Sequence, residues 1–222
     1  MYVNFTIFFL NCHYYHSFSK MNSNFIDISF VLKYHMEQIS VNGIHSARAL
    51  GWNSREGQHL RFDILAQTAN LNKTSLLDIG CGVGDLLPFL NSRFSNFKYT
   101  GLDLNEHFLM IAAERYQDWE NVQFLHGDMN SCSIPIADII LISGALSYRN
   151  SVEDYVYKLI NKIYDSCNTA FAFNLLKRLN QPSQILCTHD PENIMKFCST
   201  ISKNVSYVEG YLEGDYTVRM YK

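Results

Sequence analysis

Residues 75–85 read SLLDIGCGVGD, an apolar run that leads directly into three glycines at every second position. A short apolar run bounded by glycines is typical of a buried strand. Gly80, Gly82 and Gly84 remove three side chains, so the backbone can turn sharply and approach a ligand closely. The stretch therefore predicts a strand, a tight turn and a helix near 85–90, with a ligand site at the carboxyl end of the strand.

Short apolar runs alternate with amphipathic stretches through the rest of the chain. The predicted strands are 75–79, 99–104, 122–125, 137–143, 170–175 and a final hairpin of 205–211 and 216–221. The predicted helices after the glycines are 85–90, 105–116, one that Ser151 caps, and 191–200. Strands that alternate with helices pair in parallel, with helices on both faces of the sheet. We therefore expect a three-layer α/β sandwich, with a mostly parallel seven-stranded sheet that ends in an antiparallel hairpin.

The part of the chain before the glycines reads as helical. Residues 24–70 are predicted to form helices with a break around 41–53. Asn53 and Glu56 have the spacing of a capping pair for the second helix. The apolar stripe of that helix is predicted to consist of Leu60, Ile64, Leu65 and Ala69. In the later helix that Ser151 caps, the stripe is predicted to begin at Val152.

Composition excludes several classes of protein. With 222 residues, 47% hydrophobic and 18% charged, the chain is expected to be one globular domain. Its 18 Lys and Arg against 21 Asp and Glu give a net charge of −3, which argues against a nucleic-acid partner. Six Cys without a CxxC pair and eight scattered His predict reduced thiols in a cytoplasmic protein and no metal site.

The first 23 residues carry a separate prediction. Their apolar stretch, residues 5–10, is too short to cross a bilayer, and it lacks the flanks of a secretory signal, so no membrane association is expected. Two interpretations stay open for residues 1–23. They form a peripheral segment, or translation starts at Met21 and most of the segment is not native.

The glycine spacing and three acidic residues indicate the kind of ligand. A dinucleotide fingerprint would place Gly or Ala at position 85, but Asp85 puts a negative charge where a pyrophosphate would bind. Asp78, Asp103 and Asp128 end or flank three consecutive predicted strands. Asp103 can accept hydrogen bonds from ribose hydroxyls, and Asp128 can accept one from an exocyclic amine, with Met129 packed on the ring. The pattern favours a cationic ligand that contains a nucleoside and no phosphates.

The segments LLDIGCGVGDL (76–86), YTGLDLN (99–105) and HGDM (126–129), taken together, resemble the class I S-adenosylmethionine-dependent methyltransferases. The resemblance covers residues 74–175 in motif order and extends to small bacterial members of the family. It implies a Rossmann-like fold, S-adenosylmethionine as cofactor, and a methyltransferase domain over 24–222. That domain would comprise a helical cap, 24–70, and a cofactor-binding core, 71–222.

The resemblance also implies roles for individual residues. Asp78 and the glycine loop would face the methionine part of the cofactor, Asp103 the ribose and Asp128 the adenine amine. Ser143 would lie near the reacting atoms. Arg61 is predicted either to pair with the cofactor's carboxylate or to lie on a solvated helix face. The full set of candidate cofactor-binding residues is Asp78, Gly80, Cys81, Gly82, Asp85, Asp103, Leu104, Asp128, Met129, Ser143 and Arg61.

The acceptor is expected to be a small molecule. The fourth predicted strand ends in SGALSY (143–148) and not in an Asp/Asn-Pro-Pro-Tyr sequence, which argues against methylation of DNA bases. No catalytic base is assigned. Tyr148 and Arg149 are candidates for contact with substrate, while Tyr34 and His35 have a core or surface role as the default. The alternatives are a non-catalytic cofactor-binding or partner-binding module and an aminopropyl transferase on the same fold.

Overall fold

The computed structural model describes residues 7–10 and 23–222. The strands are β1 (Ile7–Phe9), β2 (Ser75–Ile79), β3 (Lys98–Asp103), β4 (Val122–His126), β5 (Ala137–Ile142), β6 (Cys167–Leu176), β7 (Asn204–Glu209) and β8 (Asp215–Tyr221). The helices are α1 (Ser23–Asn42), α2 (Arg55–Ala66), α3 (Leu86–Asn91), α4 (Glu106–Arg115), α5 (Tyr155–Asp165) and α6 (Pro191–Ile201). Two short 3₁₀ helices span Ala47–Leu50 and Ala145–Ser147.

All eight described strands form one sheet in the order β1-β4-β3-β2-β5-β6-β8-β7. The first six pair in parallel, and β8 runs antiparallel to both β6 and β7. The predicted fold class is therefore confirmed. The sheet has one strand more than the predicted seven, because residues 7–9 pair along the outer edge of β4. Three residues are too few for a periodic pattern, so the sequence did not indicate this strand.

The buried side chains form two clusters on opposite faces of the sheet. Leu77 of β2 belongs to the cluster that includes α5, α6 and the hairpin, whereas its neighbour Leu76 belongs to the cluster under α2, α3 and α4. Successive side chains of a strand point to opposite faces, so a strand that is covered on both sides must be apolar throughout. This explains the continuous apolar run of β5, in which Ile139 and Ile140 are both buried. The two layers hold the carboxyl ends of the strands in place.

Two predicted helix caps are wrong. The N-cap of α2 is Ser54, whose Oγ accepts a hydrogen bond of 3.0 Å from the backbone N–H of Gly57, and not Asn53. Leu60 is 42% exposed and does not belong to the apolar stripe, in which Phe62 is buried. Which residue serves as the N-cap depends on backbone dihedral angles that the residue types leave open.

Helix α5 begins at Tyr155, four residues after the predicted cap. Asp154 occupies the N-cap position with a left-handed φ of 59°. The backbone N–H and Oγ of Ser151 instead donate to Oδ2 of Asp27 in α1, at 2.9 and 2.6 Å. Val152 is 37% exposed and lies outside the helix stripe. Ser151 therefore connects α1 to the segment that leads into α5.

Three further observations concern the described residues alone. None of their helices is long and apolar enough to cross a membrane. Over the same ranges, no group of three or more His, Cys, Asp or Glu side chains is placed to hold a metal ion. The five cysteines they contain, Cys81, Cys132, Cys167, Cys187 and Cys198, are free thiols. The prediction for residues 1–23 falls mainly outside the described residues and stays a prediction.

Candidate functional site

A cavity of about 770 Å³ opens at the carboxyl ends of the parallel strands. It lies where the strand order turns back between β2 and β5, which is the usual ligand position in open α/β sheets. Its volume falls in the range of about 300–1,000 Å³ that is typical of small-molecule sites. The structure brings all eleven candidate residues to its wall: Asp78, Gly80, Cys81, Gly82, Asp85, Asp103, Leu104, Asp128, Met129, Ser143 and Arg61.

The glycine loop turns through left-handed backbone conformations. Gly80 and Gly82 have φ of 74° and 55°, which side-chain-bearing residues rarely adopt. A Cβ on Gly80 would lie 2.5 Å from the Cβ of Ala145, and a Cβ on Gly82 would lie 2.9 Å from Leu50. Both glycines are therefore required by conformation and by space. Burial raises the pKa of the Cys81 thiol, so this group stays neutral and acts as a small packed side chain.

Asp103 connects the end of β3 to the glycine loop. Its Oδ2 accepts a hydrogen bond of 2.7 Å from the backbone N–H of Gly82, and its Oδ1 accepts one of 2.8 Å from the N–H of Asn105. Burial raises the pKa of Asp103, while these two N–H groups oppose that rise. The carboxylate is thus fixed in the cavity wall, with lone pairs available to a further donor.

Asp78 lies beneath the glycine loop and is 2% exposed. The hydroxyl of Tyr99 donates a hydrogen bond of 2.7 Å to its Oδ2. Burial raises the pKa of Asp78 to about 7, and the nearby carboxylate of Asp103 adds to this rise. A cation bound beside Asp78 would favour its ionised form, so the site can attract positive charge.

Asp128 is held within its own loop. It accepts hydrogen bonds from the backbone N–H and Nδ2 of Asn130, at 3.0 and 2.7 Å, and from Oγ of Ser131 at 3.0 Å. The ammonium of Lys162 donates to the backbone carbonyls of Met129 and Asn130, at 2.8 and 3.0 Å. These contacts position both Asp128 and Met129 at the cavity wall.

Two other charged residues of the wall have partners inside the protein. Asp85 accepts from Nε2 of Gln58 at 3.3 Å and pairs with Arg115 at 3.0 Å. The guanidinium of Arg61 pairs with both carboxylate oxygens of Asp215. Because the Arg61 side chain is only 13% exposed, it does not lie on a solvated helix face, and its position at the cavity wall is set by Asp215.

Three buried polar atoms of cavity-lining residues have no hydrogen-bond partner among the described residues. They are Nδ2 of Asn105, which follows β3, and Oγ of Ser143 and Nδ2 of Asn174, which lie at the ends of the neighbouring strands β5 and β6. Oδ1 of Asn174 accepts a hydrogen bond of 2.7 Å from the N–H of Gly144. The Nδ2 atom of the same amide group takes no part in that contact. An unsatisfied buried donor costs about 1–3 kcal/mol, which a bound ligand can recover. Asn174 was not among the candidates, although a lone amide in an apolar strand is a usable signal.

Helix α1 and the segment before α2 also line the cavity. One face of α1 lines it, and Leu50 lies over Gly82. The ring of Trp52 packs against Gly144, where an added Cβ would come within 2.5 Å of it. His35 of α1 reaches Tyr148, whose Oη lies 2.9 Å from Nε2 of His35. Of the two roles expected by default for His35, core or surface, its burial fits the core, and the residue also lines the cavity.

Comparisons with known proteins agree with this geometry. Residues 76–169 match a family described as a methyltransferase domain. A Mycobacterium tuberculosis protein named as a candidate methyltransferase is 29% identical over 160 residues, which are 67% of this chain and 93% of that protein. The malonyl-[acyl-carrier protein] O-methyltransferase of Neorickettsia risticii is 35% identical over 77 residues, which are 35% of this chain and 30% of that enzyme.

Solved structures show the same fold. Magnesium protoporphyrin IX methyltransferase from Synechocystis PCC 6803, with bound S-adenosylmethionine, superposes with a TM-score of 0.65 at 14% identity. The match covers 93% of this chain and all of that one. Together with the glycine loop and the sheet order, the matching methyltransferase domain and these relatives support a class I S-adenosylmethionine-dependent methyltransferase.

Proposed function

We propose that this methyltransferase binds S-adenosylmethionine in the cavity at the β2–β5 switch point and transfers its methyl group to a small-molecule acceptor. The observation that carries the proposal is the joint placement of the glycine loop, Asp103 and three unsatisfied polar atoms around one cavity. S-adenosylmethionine, when bound, supplies a methyl group that is already activated by its sulfonium. The protein has to bind the cofactor and the acceptor, align them with each other and exclude water.

The charge of the cavity wall supports a cationic ligand. Seven carboxylates line it against three guanidinium groups. Asp78 and the glycine loop would hold the methionine part, with Ser143 and Asn174 donating to it or to the acceptor. Asp103 would accept from the ribose, and the wall formed by Leu104, Asp128 and Met129 would hold the adenine.

The remaining wall supports an acceptor site for a small molecule. It is formed by the inner face of α1, the segment 145–155 and the loop 176–186. Arg149 donates to the backbone carbonyls of Ser183 and Leu186, both at 3.2 Å, which holds that loop over the cavity. The relatives reported above are named for unlike acceptors, so they support the reaction and leave the acceptor to experiment. The free thiols of the described residues support the expected cytoplasmic location.

Calorimetric titration with S-adenosylmethionine and S-adenosylhomocysteine tests the cofactor site. We expect micromolar binding of both ligands and loss of that binding in Asp103→Ala. Asp118→Ala is the matched control, since Asp118 is exposed and lies outside the cavity wall. Absence of binding by the folded protein, or equal affinities in the two variants, would refute the proposed site.

A further inference from the structure

The tautomer of His35 follows from its two hydrogen bonds. Nδ1 lies 3.0 Å from the backbone carbonyl oxygen of Ala49, which can only accept, so Nδ1 carries the hydrogen. Nε2 is therefore the acceptor, and the hydroxyl of Tyr148, 2.9 Å away, donates to it. The chain of contacts runs from a backbone carbonyl through the imidazole to the phenol oxygen of Tyr148.

The surroundings of His35 keep the imidazole neutral. The residue is 7% exposed and is enclosed by the rings of Tyr34, Phe108 and Tyr148, with centroids at 5.3, 5.1 and 5.7 Å. Burial lowers the pKa of His35, whereas the nearby carboxylate of Asp103 favours the charged form. A neutral imidazole with a carboxylate close by can receive a proton and stabilise the resulting cation.

Tyr148 is held firmly at the cavity wall. It follows the 3₁₀ turn after β5, and the hydroxyl of Tyr155 donates to the backbone carbonyls of Leu146 and Tyr148, both at 3.0 Å. The Tyr148 hydroxyl gives its hydrogen to His35, so its oxygen has lone pairs available to a ligand's donor. Both residues line the same cavity as the candidate cofactor residues.

We propose that Tyr148 and His35 receive the proton of the methyl acceptor, and that the acceptor is therefore a hydroxyl or amine compound. The inference rests on the proposed function. The acceptor's X–H bond breaks and its proton goes to Oη of Tyr148, while the hydroxyl proton of Tyr148 goes to Nε2 of His35. The electron pair left on X forms the bond to the methyl carbon, and the bond from that carbon to sulfur breaks with its electrons on sulfur. The positive charge ends on His35, which later releases the proton to solvent.

In this arrangement Tyr148 is the catalytic residue and His35 is a positioning residue that acts through it. The cap helix α1 thus contributes to the chemistry as well as to the closure of the cavity. The buried position of His35 and the predicted contact of Tyr148 with substrate thus serve the same proton transfer. Their separation in sequence is 113 residues.

The test uses the full chain with Tyr148→Phe and His35→Gln, and with Tyr207→Phe as a control outside the cavity wall. Phenols, alcohols, carboxylic acids, primary amines and thiols are screened as acceptors by the formation of S-adenosylhomocysteine. We expect turnover of a phenol, an alcohol or an amine, and a fall in kcat of about 10²-fold or more in Tyr148→Phe. A carboxylic acid is already ionised at neutral pH and needs no base, so turnover of carboxylic acids alone would contradict the inference. The calorimetric affinity for S-adenosylhomocysteine should stay within about threefold of the wild type, because Tyr148 then acts on the acceptor and not on the cofactor.

Two further measurements separate this role from a structural one. At saturating S-adenosylmethionine, the kcat/KM of the wild type for the acceptor should rise with pH as His35 becomes neutral, and Tyr148→Phe should lose that dependence. Tyr34, Tyr148 and Asp103 are the titratable groups that face His35. Nitrogen-15 spectra, assigned with His35→Gln, should show the Nδ1–H tautomer at neutral pH. Unchanged turnover in Tyr148→Phe, an Nε2–H tautomer, or cofactor binding without turnover of any phenol, alcohol or amine would overturn the inference. Failure to bind the cofactor would instead refute the proposed function, on which the inference rests.

Discussion

The hydroxyl of Tyr99 on β3 donates a hydrogen bond of 2.7 Å to Oδ2 of Asp78 on the neighbouring strand β2. Tyr99 is 1% exposed, so its ring has one position in the core, and that position fixes the carboxyl group under the glycine loop. The hydrogen bond favours ionised Asp78 but does not overcome its burial, which raises the pKa of Asp78 to about 7. The group therefore changes charge near neutral pH.

The first prediction is a pH dependence of cofactor binding. Below pH 7 a ligand whose ammonium faces Asp78 must displace a proton from it, whereas above pH 7 the carboxylate is already ionised. The affinity for S-adenosylhomocysteine should therefore rise by up to about tenfold per pH unit below pH 7 and level off above it. Calorimetry at pH 6, 7 and 8 measures this. Asp78→Asn should bind S-adenosylhomocysteine weakly, and its affinity should depend less on pH. An equal pH dependence in the wild type and in Asp78→Asn would contradict the role assigned to Asp78.

The second prediction separates the two reasons why position 80 requires glycine, which are its left-handed φ and the lack of space for a Cβ atom. Gly80→Ala combines an unfavourable φ of 74° with a contact to Ala145, so cofactor affinity should fall by at least about tenfold. Gly43→Ala has the same kind of backbone, with φ of 76°, but open space around the added carbon. It should cost about 1–2 kcal/mol of stability and leave binding unchanged. Urea denaturation and calorimetry on both variants check this, and equal losses of binding would refute it.

A third prediction concerns the ion pair between Arg61 and Asp215, whose side chains are 13% and 3% exposed. Arg61→Ala leaves a buried carboxylate without its partner, and we expect it to cost about 3–5 kcal/mol of unfolding free energy. The pair of Arg178 and Glu213 is the matched control, since those side chains are 62% and 69% exposed. Arg178→Ala should cost less than about 1 kcal/mol. Chemical denaturation compares them, and similar costs would contradict this account.

The fourth prediction uses the two tryptophans of the chain. Trp52 lines the cavity, whereas Trp119 packs against Tyr116 outside it and is 37% exposed. In Trp119→Phe the remaining indole should change its emission when S-adenosylhomocysteine binds, because the ligand alters the polarity around it. Trp52→Phe should show no such change at saturating ligand. A response that comes from Trp119 would mean that the ligand occupies another surface.

Much of the fold could be predicted because its signals are local. The strand of residues 75–79 and the glycines after it form one continuous pattern, and so do the apolar runs of β5 and β6. The caps at Asn53 and Ser151 were wrong because several neighbouring residues could serve as caps, and backbone geometry decides which one does. Residue type predicted β2 to β8, but it could not predict β1 at one edge of the sheet or the backbone dihedral angles that decide the caps.

The site was predictable only in part, for a related reason. Asp78, Asp103 and Asp128 each follow or end a strand, so topology alone brings them to one edge of the sheet. The partner of Arg61 is 154 residues away and carries no pattern that connects the two. Asn174 is a single polar residue within a strand, and its unsatisfied amide is evident only in three dimensions.

The strand order has a consequence for how the chain folds. Leu76 of β2 pairs with Ile139 of β5, so the centre of the sheet forms only after two strands far apart in the chain have met. Such non-local parallel pairings make folding slow and leave apolar strand edges open in the meantime. We expect refolding in the millisecond-to-second range or slower, with aggregation that increases with protein concentration. Ligands that occupy the finished cavity would then protect the native state without speeding its formation.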